Sequence, residues 1–178
     1  YFTVNTPDRQ QLSAKKYLPD AETEASLIIV HGMAEHQERY AEFAEHLRNN
    51  FFAVYTYDQR GHGKTAGSPE KVGFFAPENG HRLVVNDLDL ITDIARKEHP
   101  NTPVIIFGHS MGSFICRNYI LEESEKIDGL ILSGTAAGAG ALGKIGTAAA
   151  SIIALLYGKR HPSKLMDALS FGSFNKKI

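Results

Sequence analysis

The chain has 178 residues, of which 19 are Lys or Arg and 20 are Asp or Glu, giving a formal charge of −1. This length fits one domain that buries roughly two thirds of its unfolded surface, enough for a core without metal or disulfide staples. The near-neutral balance, with no basic run suited to a phosphate backbone, argues against nucleic acid as a partner, and the single cysteine, Cys116, excludes an intrachain disulfide and a thiolate metal cluster.

Residues 1–6 have neither the charged start nor the apolar core of a signal peptide and do not begin with Met, so the numbering can start inside a longer chain; the default location is the cytoplasm. Residues 1–6 and 11–18 read as two strands around the turn-forming Pro7-Asp8-Arg9, an antiparallel hairpin. Residues 26–30 form a short apolar run of the kind buried on both faces. Tyr40, Phe43, Ala44 and Leu47 then recur at helical spacing, with Asn49-Asn50 as terminators, and residues 51–57 form the next strand. Val84, Leu88, Ile91 and Ala95 mark a second helix closed by Glu98-His99-Pro100. Strand 104–107, helix 111–121 and strand 129–132 follow. Strand and helix thus alternate after the hairpin, which predicts an α/β fold with a mostly parallel sheet, helices on both faces, and functional loops at the carboxyl ends of the strands.

Two motifs fall at such ends. Gly108-His109-Ser110-Met111-Gly112 sits between the apolar run 104–107 and a helical segment, the context of a nucleophile elbow. A serine hydroxyl is a poor nucleophile and must be lifted out of the sheet on a tight turn where a base can reach it, and Gly108 and Gly112 remove the Cβ atoms that would collide there. The pattern alone also occurs in βα turns of other α/β proteins; the flanking strand and helix favour the elbow. After strand 26–30 comes His31-Gly32-Met33-Ala34-Glu35-His36, a glycine-containing loop of the type that offers a backbone N–H to a developing oxyanion, the second coming from the residue after the serine. The expected donors are the amides of Met33 and Met111.

Other patterns carry less. Gly61-His62-Gly63-Lys64-Thr65 ends like a phosphate-binding loop, but Asp58 stands where that loop needs its first glycine. Asp58, Arg60 and His62 are expected to shape their own loop through hydrogen bonds. His31, His36 and His62 lack the helical His-x-x-x-His pair of a zinc hydrolase, so no metal is expected. His109 points away from its neighbour Ser110, Cys116 between apolar residues reads as a buried thiol, and Tyr17, Tyr55 and Tyr57 read as strand packing.

Together, His31 to His36 with Arg39-Tyr40, then Asp58-Gln59-Arg60-Gly61-His62-Gly63, then Gly108 to Gly112, resemble in order and spacing the α/β-hydrolase group that contains monoacylglycerol lipases and lysophospholipases. The resemblance covers about the first three quarters of the chain. It implies a three-layer α/β-hydrolase sandwich, no cofactor, and hydrolysis of acylglycerol or lysophospholipid esters beneath a mobile lid. Serine aminopeptidases and other esterases share the pattern. It also implies that residues 1–135 are the first six strands of the core and residues 136–178 the start of a cap. The apolar stretch 145–158 is too short for the ~20 residues of a bilayer span, but suits an acyl chain, transient contact with a lipid interface, or plain packing on the core.

In this fold the acid and the base follow the serine in the order Ser, Asp or Glu, His. After Ser110 the only histidine is His161; Glu122, Glu123, Glu125 and Asp128 fall at the wrong edge of the sheet, and Ser133-Gly134-Thr135-Ala136-Ala137-Gly138 contains no carboxylate. The acid and base are therefore expected outside these residues, with the chain stopping within or just after its cap, at residues 174–178. The expected activity is a serine hydrolase that cleaves lipid esters through an acyl-enzyme. The alternatives are a peptidase, with an acidic subsite for a free amine that could involve Glu35, a general esterase, and a catalytically silent hydrolase-like domain that binds an acyl ligand or a partner. Chain-length preference and oligomeric state have no signature in the sequence.

Overall fold

Strands β1 (Phe2–Asn5) and β2 (Gln11–Tyr17) form the expected hairpin, Val4 opposite Leu12, with Arg9 at a left-handed φ of 67° in the turn between them. Strand β3 (Ala25–Val30) is buried at all six positions, which is why its sequence is apolar without alternation. Helix α1 (Ala41–Arg48) leads to strand β4 (Phe52–Tyr57), and the short helix α2 (Gly63–Ala66) precedes the long α3 (Gly80–Glu98). Strand β5 (Val104–His109), helix α4 (Met111–Tyr119) and strand β6 (Gly129–Ser133) complete the sheet. This computed structural model describes residues 1–137, 140–161, 163–165 and 168, and divides into two compact units, Tyr1–Thr135 and Ala136–Ile178.

The six strands lie in the order β1-β2-β4-β3-β5-β6, with β1 and β2 antiparallel and the other four parallel. Alternate residues of the central strands face opposite layers. Ile28, Val30, Tyr55, Tyr57 and Ile106 pack with Leu88 and Ile91 of α3 and with Ile115, Cys116 and Tyr119 of α4. Leu27, Ile29 and Val54 turn the other way, onto Tyr17 and Ala44 of α1. Helices on both faces make the three layers that the alternation of elements predicts, and this is the α/β-hydrolase architecture that the resemblance implies.

The chain steps outward from β3 to β4, then crosses back to place β5 on the other side of β3. That reversal is a topological switch point, where the loops after β3 and β5 part and leave a crevice at the carboxyl edge. Register brings them level: Val30 pairs with Gly108, and His109 with Ser133.

Element bounds differ from the sequence reading by one or two residues. Helix α4 ends at Tyr119, not 121, because the Leu121 N–H turns to the Asn118 carbonyl, a three-residue step that tightens the last turn. Helix α2 has no counterpart in the sequence pattern, since its four residues are too few for any periodicity to register. In the second unit, α5 (Gly140–Tyr157) exposes Ile152, Leu155, Leu156 and Tyr157, and the Tyr157 ring stacks on His161 at 4.8 Å. Among the described residues no helix is long and apolar enough to cross a membrane. Residues 174–178, read as the end of the chain, and Gly138 of the loop after β6 lie outside the described residues.

Candidate active site

Strand β5 carries Ser110 to the carboxyl edge, where its backbone takes φ 49° and ψ −117°. A non-glycine residue there costs about 1–3 kcal/mol and persists only where its surroundings over-determine it. The Ser133 carbonyl accepts the Ser110 N–H at 2.8 Å, while the Ser110 carbonyl accepts both the N–H and the Oγ–H of Ser113, at 2.9 and 2.6 Å. Gly112 lets α4 start against the end of β3: a Cβ there would lie 2.0 Å from the Val30 carbonyl oxygen and 2.7 Å from that of His31. At Gly108 a Cβ would meet Cys116 Sγ at 2.7 Å and the Gly112 carbonyl at 2.9 Å. Both glycines of the motif are thus steric requirements of one turn.

The loop after β3 runs directly past this turn. A Cβ at Gly32 would stand 3.1 Å from Ser110 Cβ. Ala34 holds a left-handed φ of 60°, and the buried Glu35 carboxylate folds back to accept the Gly32 N–H and, at 2.7 Å, the Tyr40 hydroxyl, with Arg39 Nε 3.2 Å from its other oxygen. Among the described residues no acceptor engages the N–H of Met33 or of Met111, the latter being the first N–H of α4, which no intrahelical carbonyl can reach. Gly32, Gly108, Ser110 and Gly112 are therefore neighbours at the ends of β3 and β5, with Met33 and Met111 next in the chain after Gly32 and Ser110.

Other polar residues are committed elsewhere. Glu35 Oε1 is taken by the Gly32 N–H and the Tyr40 hydroxyl, and Oε2 lies 3.2 Å from Arg39 Nε. His109 Nδ1 lies 3.2 Å from Ser133 Oγ. Burial pushes the Cys116 thiol up to about 12, which keeps it from acting as a thiolate. Glu122 pairs with Arg82, Glu123 with Lys126, and Asp128 accepts the Val104 N–H at the amino end of β5, the edge opposite Ser110. His161 belongs to the second unit.

The loop after β4 is a bonded scaffold. Asp58 accepts the N–H groups of Gln37 and Lys64, both at 2.8 Å, and its carbonyl accepts the Thr65 hydroxyl at 2.6 Å, so the residues resembling a phosphate loop are occupied internally. Arg60 is clamped between Asp87 of α3, at 2.6 Å, and Asp8 of the β1–β2 turn, at 2.5 Å, and its guanidinium holds the Asp8 carboxyl well below the usual range. His62 Nδ1 lies 2.8 Å from the Arg60 carbonyl. Sequence reasoning assigned no role to Gln37, which lies in no motif, or to Gln59, which lies inside the Asp58–Gly63 motif, yet Gln37 bridges Asp58, Ser13 and Thr56, and Gln59 bonds His31 through both its backbone and its side chain.

A family described as "Serine aminopeptidase, S33" matches residues 21–175. Monoacylglycerol lipase of Mycolicibacterium smegmatis is 31% identical over 123 residues, 69% of this chain and 42% of that protein, and monoglyceride lipase of Rattus norvegicus is 31% identical over 125 residues, 70% and 39%. A thermostable carboxyl esterase of Bacillus coagulans, solved with glycerol, superposes with a TM-score of 0.83 at 27% identity over 94% of this chain and 54% of its own. The chain spans about two fifths of the length of the curated relatives it matches. A family match over most of the chain, around the same strand ends that hold Ser110 and Gly32, places this protein in the serine aminopeptidase S33 family of α/β-hydrolases.

Proposed function

We propose that these residues carry the nucleophile and the oxyanion hole of a serine hydrolase that cleaves monoacylglycerol or lysophospholipid esters through an acyl-enzyme. Ser110 Oγ attacks the ester carbonyl, the alcohol leaves, and water releases the fatty acid. The oxygen that becomes negative in the tetrahedral intermediate is met by the N–H groups of Met33 and Met111, each worth roughly 3 kcal/mol to the transition state, and the positive end of α4 adds to the same field. The observation that carries the reading is the 3.1 Å approach of the Gly32 position to Ser110, with an N–H lacking an acceptor on either side. The lipid substrate is favoured by the monoacylglycerol and monoglyceride lipases among the relatives. Residues 136–178 start a cap in this reading, and Ile152, Leu155 and Leu156 of α5 give an acyl chain or a lipid interface an apolar surface. A histidine base and its carboxylate partner, which the described residues around Ser110 do not include, complete the site from elsewhere in the protein.

Two measurements on the whole protein test this. Ser110→Ala is expected to lower ester turnover on the order of a million-fold and to abolish labelling by a fluorophosphonate; retention of turnover would remove Ser110 from the reaction, and absence of labelling in the unaltered protein would favour a silent binding domain. Turnover of a long-chain monoacylglycerol is expected to exceed that of an aminoacyl-amide; the reverse order would favour the peptidase reading that the family's description keeps open.

A further inference from the structure

His31 is 1% exposed at the end of β3, and both of its ring nitrogens are used. Nε2 lies 3.0 Å from the backbone nitrogen of Gln59, and Nδ1 lies 2.7 Å from the Gly32 carbonyl oxygen. A backbone N–H can only donate and a carbonyl can only accept, so the ring is the neutral tautomer with its proton on Nδ1. The Gly32 carbonyl and the Met33 N–H belong to the same planar peptide and point in opposite directions, so whatever holds the oxygen aims the hydrogen. Glycine lets this peptide rotate at little cost, which makes an anchor necessary.

Resting on the assignment of the Met33 amide to the oxyanion hole, we infer that His31 is a positioning residue: its Nδ1–H holds the Gly32–Met33 peptide so that the Met33 N–H faces the ester oxygen at Ser110. The preceding peptide is anchored separately, its Gly32 N–H by Glu35 and its His31 carbonyl by the Gln59 side chain. Among the described residues the Met33 N–H has no acceptor, whereas the peptide before it is bonded at both its N–H and its carbonyl. The His62 ring packs edge-on against His31 at 5.3 Å, fixing the plane of the imidazole. Burial and the neighbouring His62 push His31 down to about 4, against the opposing pull of Asp58 and Glu35, so the tautomer persists through the neutral range.

The two amide replacements of histidine separate the two bonds. In His31→Asn the side-chain amide can reach the place of Nδ1 and still donate to Gly32; in His31→Gln it reaches the place of Nε2 and keeps only the Gln59 contact. On the whole protein, His31→Gln is expected to lose about 10²- to 10³-fold in kcat, the loss expected for one oxyanion donor, with KM little changed, and His31→Asn less than tenfold. The preference for an ester over its thionoester, whose sulfur is a poor acceptor, should collapse in His31→Gln and survive in His31→Asn. Equal losses in the two variants, or an unchanged ester preference in His31→Gln, would overturn the inference. The ¹⁵N shifts of His31 in the unaltered protein decide the matter even if a variant fails to fold: a proton on Nδ1 supports it, and a proton on Nε2 overturns it. Ser110→Ala, run beside them, separates the two levels: loss of turnover there with full kcat in His31→Gln would overturn the role of His31 alone, whereas retained turnover in Ser110→Ala would overturn the underlying assignment.

Discussion

The loops that follow β4 and β5 are both glycine-rich, both turn the chain at the carboxyl edge of the sheet, and both feed a helix, yet they are built on opposite terms. The β4 loop buries a carboxylate, a guanidinium and an imidazole, each with partners: Asp58 on Gln37 and Lys64, Arg60 on Asp8 and Asp87, His62 on a carbonyl. The β5 loop has almost no side-chain bonding; it is held by backbone carbonyls, close contacts across Gly108 and Gly112, and a strained Ser110 whose Oγ has no hydrogen-bond partner among the described residues. The charged loop is scaffold because buried ions are stable only when fully paired, and pairing leaves nothing for a substrate. The uncharged loop instead leaves two groups, the Ser110 Oγ and the Met111 N–H, without partners among the described residues, and these are the groups the proposed reaction uses.

The comparison breaks most visibly at Gly112. In Gly112→Ala the new methyl would lie 2.0 Å from the carbonyl of Val30, on the central strand, where no flexible side chain can yield. The expected loss is about 4 kcal/mol or more in urea unfolding, at the extreme of single substitutions. Labelling of Ser110 by a fluorophosphonate in the folded fraction should slow on the order of a hundredfold, as expected for a reacting atom displaced by about 1 Å. A variant with unaltered stability and labelling would show that the elbow does not depend on this contact.

Arg60→Met tests the other loop. It strands Asp87, which is 2% exposed, as an unpaired buried carboxylate, and about 3–5 kcal/mol should be lost. Because Arg60 pairs only with scaffold groups, labelling of Ser110 in the folded protein should stay within about threefold of normal. Replacing Arg60 and Asp87 together by apolar residues should restore most of the stability. A labelling rate that falls with Arg60 would mean that the two loops are coupled.

The same contrast decides what the sequence could reveal. The strands were legible because their apolar runs are continuous where both faces are buried, as in β3, and the elbow because glycine spacing reports a backbone requirement. The ends of β3 and β5 converged as their order implies, so the Gly32–Ser110 contact followed from topology. Invisible were contacts that the residue type does not announce: Gln37, and Gln59 within its motif, bridge elements 19 to 28 positions away, and Ala34 adopts a left-handed φ that nothing about alanine announces. The partners of Glu35 were equally hidden, since nothing in the sequence says that one of its oxygens takes both the Gly32 N–H and the Tyr40 hydroxyl.

His31 offers a milder test, by pH. Burial lowers its folded-state value to about 4 from an ordinary 6.5, so in the window between them the unfolded chain binds the proton more readily. The contribution is therefore intact above about 6.5 and lost as pH falls toward 4, with a slope reaching about 1.4 kcal/mol per pH unit. Urea unfolding from pH 7 to 4.5 should show this slope in the unaltered protein and lose it in His31→Asn. The Asp8 carboxyl, also depressed, acts only further into acid, below the ordinary carboxylate range, so the two do not overlap. Parallel pH curves would mean that the His31 ring is not held neutral.

The smallest effects should come from the struts around Glu35, and their order sharpens how the loop after β3 is held. Glu35 Oε1 takes the Tyr40 hydroxyl and the Gly32 N–H, whereas Oε2 faces Arg39, whose side chain is 70% exposed. An ion pair so open to water is screened, and Arg39→Ala should cost at most about 0.5 kcal/mol. Tyr40→Phe removes a partly buried hydrogen bond but leaves Glu35 its Gly32 contact, and should cost about 1 kcal/mol. If Arg39→Ala proves the more damaging of the two in denaturant titrations, the loop is held from its solvent side by charge, and the resemblance to the electrostatic β4 loop is closer than the geometry indicates.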